Sequence, residues 1–92
     1  MRFQDRALLV TGGGSGIGET VAKYWASQGG KVVLADVAAE GLARVEREIR
    51  EAGGEAVTVT CNVTREEDCA ALAATAIERF GAINLVLPCA GI

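Results

Sequence analysis

The apolar run Ala7-Leu8-Leu9-Val10 stops in Thr11-Gly12-Gly13-Gly14-Ser15-Gly16-Ile17-Gly18-Glu19, and helical periodicity follows at once. A strand that breaks in so many glycines and hands over to a helix leaves the first N–H groups of that helix without intrahelical partners. It also lacks the Cβ atoms that would keep an anion off the backbone. The next apolar run, Lys31-Val32-Val33-Leu34-Ala35, ends in Asp36, an acid placed to accept hydrogen bonds from a ribose. Strand, turn, helix and acid together point to a nucleotide cofactor, which the glycine run alone would not.

The rest of the chain repeats the alternation. Strands are predicted at about Ala7 to Thr11, Lys31 to Asp36, Ala56 to Cys61 and Asn84 to Pro88. Between them, helices are predicted at roughly Gly16 to Gln28, Ala39 to Ala52, and from Thr64 through Phe80 to Gly81. Ile17, Val21 and Trp25 form the apolar stripe of the first helix, with Gly29-Gly30 closing it, and core packing is the expected role of Trp25. In the second helix Leu42, Val45 and Ile49 share one face, while Glu40, Arg44, Arg47, Glu48 and Glu51 occupy the others. The third begins with Thr64-Arg65-Glu66-Glu67, a capping box.

Ala-Leu-Leu-Val and Leu-Val-Leu in the first and last strands lack polar alternation, so helices should cover both faces of a parallel sheet. Right-handed crossovers then give strand order 3-2-1-4, with helices 1 and 2 on one face and helix 3 alone on the other. The expected class is α/β, a Rossmann-type three-layer α/β/α fold incomplete at its C-terminal side. The whole chain, residues 1–92, is expected to be the N-terminal part of a single larger nucleotide-binding domain, because strand 4 would expose an apolar edge.

Charge and composition remove several function classes. Net charge is −3 and the nine Lys and Arg are dispersed, so no footprint for nucleic acid or an anionic membrane is expected. Half the residues are hydrophobic and proline occurs once, as in a packed domain and not a disordered tail. Cys61, Cys69 and Cys89 show no CxxC spacing and histidine is absent, so no metal site is expected and the cysteines read as free thiols in a reducing compartment. The N-terminus lacks a signal-peptide core and no stretch approaches the ~20 apolar residues of a membrane span. A soluble, cytoplasmic protein is the expectation.

Three chemistries use a strand, a glycine turn and a helix. Gly13-x4-Gly18-Glu19-Thr20 has a P-loop outline, but Glu19 stands where a lysine must reach the phosphates. A methyltransferase-like domain would place an acid at the end of strand 1, where Thr11 stands. The third fits: Thr11-Gly12-x-x-x-Gly16-x-Gly18 closely resembles the TGxxxGxG motif of the short-chain dehydrogenase/reductase family. The resemblance continues through Asp36, Cys61-Asn62-Val63 and Pro88-Cys89-Ala90-Gly91-Ile92, covering nearly the whole chain.

The resemblance implies that Gly12, Ser15, Gly16, Ile17 and Gly18 cradle a diphosphate, that Asn62 and Val63 contact adenine, and that Cys89, Ala90 and Gly91 line the nicotinamide-ribose end. Asp36 would favour NAD over NADP, because a 2′-phosphate brings further negative charge against it; Ser15 and Val37, both non-basic, agree. As an ordinary reading, Asp36 is an acidic turn residue and Asn62 merely leads into a helix. Asn62 replaces the family's more usual Asp but keeps a carbonyl acceptor, whereas Pro88-Cys89 replaces the family's two Asn and carries no side-chain amide.

The family's Ser, Tyr-x-x-x-Lys and further Asn have no counterpart here, since Tyr24 is followed at the fourth position by Gln28. No catalytic residue is assigned. The implied full-length protein is an NAD-dependent oxidoreductase acting on a small alcohol or ketone, and a homo-oligomer, tetramer or dimer. A stand-alone, non-catalytic NAD-binding module is the alternative.

Overall fold

The computed structural model describes residues 3–12, 16–37, 39–60 and 66–88. Seven elements alternate along the chain: β1 (Ala7–Thr11), α1 (Gly16–Ser27), β2 (Lys31–Asp36), α2 (Ala39–Glu51), β3 (Glu55–Thr60), α3 (Glu66–Phe80) and β4 (Leu85–Pro88). They fall within a residue or two of the sequence-based boundaries, except that Thr64 and Cys61 lie outside the described residues. The strands form one parallel sheet in the order β3-β2-β1-β4.

Alternate residues of β1 serve opposite layers, as a pleated strand buried on both faces requires. Leu8 and Val10 pack with Ala22, Trp25, Leu42, Val45 and Ile49 under α1 and α2. Leu9 packs with Val33, Ala35, Leu72 and Ala76 under α3. Two helices on one face and one on the other is the expected division. At the free edge Leu85 is 48% and Val86 52% exposed.

The structure corrects the face of α1. Ile17 is 57% exposed and Val21 only partly buried; the buried positions are Gly18, Ala22 and Trp25. Gly18 and Ala22 are small enough to bring the helix axis close to the sheet, so the buried face shifts from Ile17 and Val21 to their next neighbours while Trp25 stays in the core.

Trp25 belongs to the core, as expected. Its ring stacks on Phe3 at 3.9 Å between centroids, and its Nε1–H donates to the Arg6 carbonyl at 3.0 Å. A buried indole with its polar atom satisfied is a stable anchor. Gly30 passes so close that a Cβ there would overlap the indole ring.

Candidate cofactor site

β1 is where the chain's path reverses direction across the sheet: β2 and β3 lie on one side of it and β4 on the other. Open α/β sheets bind ligands beyond the strand C-termini at such a point. The register brings the relevant ends together, with Thr11 opposite both Ala35 and Pro88, and Asp36 one step further along β2, opposite Thr60.

Gly12 begins the turn with φ +75° while its N–H donates to the Ala35 carbonyl at 2.7 Å. This bond ties the turn to β2 at the residue before Asp36. Gly16 opens α1 with φ +62°, and a Cβ built on it would meet no heavy atom within 4 Å. The site therefore combines a backbone conformation that side chains resist with open space at a helix N-terminus, the arrangement a diphosphate needs. Gly18, two residues further into the helix, is buried.

Asp36 is half-buried, and its Oδ1 accepts the Val37 N–H at 2.7 Å. Val37 is exposed beside it. Of the sequence-predicted site residues, the structure brings Gly12, Gly16, Ile17, Gly18 and Asp36 to this end of the sheet. Ser15, Asn62, Val63, Cys89, Ala90 and Gly91 lie outside the described residues.

The sequence assigns Arg44 and Glu48 only to faces of helix 2 away from its apolar stripe; with Glu19 and Lys23 of α1 they form an ion-paired ring that starts in the first turn of α1. The Glu19 carboxylate, in the first turn of α1, accepts from Lys23 Nζ at 2.7 Å and from Arg44 Nη2 at 2.7 Å and Nη1 at 3.1 Å. Lys23 and Arg44 also reach Glu48, at 2.5 and 3.1 Å. Hydrogen bonds from Arg44, then Lys23, pull the Glu19 carboxyl down from 4.5 to about 2. Those from Lys23, then Arg44, lower Glu48, while Glu19 raises both cations. The signal was present as Glu19/Lys23 and Arg44/Glu48, each four residues apart on adjoining helices.

Among the described residues, no group of three or more His, Cys, Asp or Glu side chains could hold a metal ion. No described helix is long and apolar enough to cross a membrane. A cleft of about 390 Å³ between α1 and α2, lined by Lys23 and Glu48 of that ring and by Ala26, Ile49 and Gly54, runs from the ring away from Gly16.

The short chain dehydrogenase family model matches residues 6–92. The 7alpha-hydroxysteroid dehydrogenase of Escherichia coli K12 is 34% identical over 91 residues, covering 99% of this chain and 36% of that protein. A solved short chain dehydrogenase/reductase from Burkholderia phymatum, in complex with NAD, superposes with a TM-score of 0.89 at 40% identity, covering 94% of this chain and 31% of that one. A metagenomic short-chain oxidoreductase in complex with NADP superposes with a TM-score of 0.88 at 34% identity, over 94% of this chain and 39% of that one. The chain thus spans about a third of the length of the relatives it matches, in the family's N-terminal part. With the TGxxxGxG residues, the 3-2-1-4 sheet and a match over nearly every residue, the chain belongs to the short-chain dehydrogenase family.

Proposed function

We propose that these 92 residues are the cofactor-binding part of an NAD-dependent oxidoreductase that moves a hydride between nicotinamide and a small alcohol or ketone. The observation that carries the cofactor choice is Asp36 at the C-terminal end of β2, beside the turn tied down by Gly12. A carboxylate there accepts from both adenosine-ribose hydroxyls and repels a 2′-phosphate.

When bound, the nicotinamide supplies the hydride acceptor or donor. This chain's share of the work is binding and orientation. The open N-terminus of α1, with Gly12, Ser15, Gly16, Ile17 and Gly18, takes the diphosphate, and the buried Gly18 keeps that end of the helix against the sheet. Asn62 and Val63 serve the adenine, and Cys89, Ala90 and Gly91 the nicotinamide ribose. The proton exchanged at the substrate oxygen needs an acid–base group, which the family pattern places in residues beyond these 92. The length of the encoded reading frame separates this reading from a stand-alone NAD-binding module. A homo-oligomer and a cytoplasmic location accompany the proposal, the latter resting on three cysteines without paired spacing.

Cofactor titration of the protein as its gene encodes it tests the choice. Asp36→Ala should weaken NAD binding and relax the discrimination against NADP, together by about 1–3 kcal/mol. Equal wild-type affinities for the two cofactors would refute the assignment.

A further inference from the structure

Glu19 is out of keeping with a site for an anion. A carboxylate in the first turn of a helix interacts favourably with its positive pole, and three residues past a helix's first position is where a capping-box Glu folds back onto the terminal N–H groups. Gly16, with its non-helical φ of +62°, is such a first position, and Glu19 lies three residues beyond it. Left to itself, Glu19 would compete with a diphosphate for the same amides and the same pole.

In the structure it is held elsewhere. Both carboxylate oxygens are engaged by cations: Oε1 by Arg44, and Oε2 by Lys23 and Arg44. Arg44 comes from α2, so the carboxylate is drawn sideways toward the neighbouring helix. Glu48 completes a ring whose two carboxylates and two cations cancel.

We propose that Arg44, aided by Lys23, is a positioning residue for the cofactor, holding Glu19 against α2 and cancelling its charge so that the N-terminus of α1 stays available to the diphosphate. The proposal rests on the nicotinamide-cofactor reading above. It makes the net charge of the ring, and not its mere integrity, the quantity that sets affinity. That charge is zero in the wild type, +1 in Glu19→Gln, −1 in Arg44→Met and zero again in the double variant.

The test is NAD affinity and thermal melting of these four proteins, each as its gene encodes it. Arg44→Met should weaken NAD about threefold to tenfold, the scale of one unit charge acting on a diphosphate across roughly 10 Å of partly screened medium. Glu19→Gln should tighten it about twofold, and the double variant should return to within about twofold of wild type. All three variants should melt below the wild type. The Arg44→Met defect should also shrink in about 1 M salt, where the Debye length falls to roughly 3 Å.

A ring that only braces the two helices would instead make affinity follow melting temperature, leaving the double variant as weak as Arg44→Met. That result, or an Arg44→Met affinity equal to wild type, overturns the proposal while leaving the cofactor reading intact. Wild-type protein that binds neither NAD nor NADP overturns both. Should Arg44→Met fail to fold, Lys23→Met carries the same charge change and the same expected weakening.

Discussion

The free edge of the sheet has a calculable consequence for the 92-residue polypeptide on its own. β4 presents Leu85 at 48% and Val86 at 52% exposure, and Ile77 on α3 is exposed as well. Fully burying a side chain of this kind contributes about 1.5–3 kcal/mol, so three half-exposed ones forgo roughly 2–5 kcal/mol. A domain of this size has a total stability of only about 5–14 kcal/mol. The unpaired N–H and C=O groups along β4 add a template for pairing with another chain. The polypeptide alone should therefore self-associate at micromolar concentration, bind a hydrophobic dye and turn over no alcohol. Val86 shares the α3 face with its register partner Leu9 but is 52% exposed and not part of the cluster around Leu9, so Val86→Lys puts a charge on the exposed edge without entering that cluster. It should suppress association at little cost to the fold, whereas Leu9→Lys should unfold the chain. Sedimentation velocity and dye fluorescence read both. A monomeric wild-type polypeptide with a sharp cooperative melt and no dye binding would refute the reasoning and favour the stand-alone module.

Two further outcomes are expected of the folded protein. Gly30→Ala forces the indole of Trp25, the chain's one tryptophan, off Phe3 and the Arg6 carbonyl; it should cost about 1–3 kcal/mol and alter the tryptophan emission, and an unchanged melt with unchanged emission would contradict the packing. Glu19 is held at about 2 in the folded state against 4.5 ordinarily, so its contribution is complete above about pH 4.5 and is lost as pH falls toward 2. At full strength that difference would be roughly 3 kcal/mol, but Lys23 and Arg44 are 37% and 42% exposed, and screening leaves about 1–2 kcal/mol. The stability gap between wild type and Glu19→Gln should accordingly close between pH 5 and pH 2; a constant gap would exclude the ion pairs as its source.

What the sequence discloses and what it hides divide along physical lines. Strand runs, the Gly29-Gly30 and Gly53-Gly54 stops and the handedness of βαβ crossovers are local or topological constraints, and they suffice for all seven elements and for the order 3-2-1-4. The orientation of α1 is not local in that sense. Periodicity offered Ile17-Val21-Trp25, but the sheet accepts the face with the closest approach, and Gly18 and Ala22 permit a closer one than Ile17 does. The substrate is illegible for a different reason, since the side chains that would select it are not among the family motifs these residues carry.

Glu19 shows how the two kinds of information meet at one residue. Read along the chain, it excludes a nucleoside-triphosphate loop, because a carboxylate stands where that loop needs a lysine. The same carboxylate should then disfavour any phosphate ligand, and along the chain nothing answers that objection except Lys23. The answer comes from α2, which contributes Arg44 only because strand order 3-2-1 sets both helices on one face, within reach of a single ion-paired ring. A charge pattern that looks like two unrelated solvated helix surfaces becomes, after folding, one neutral ring, and under the role proposed for Arg44 that ring is the condition on which a helix N-terminus beside an acid receives an anion.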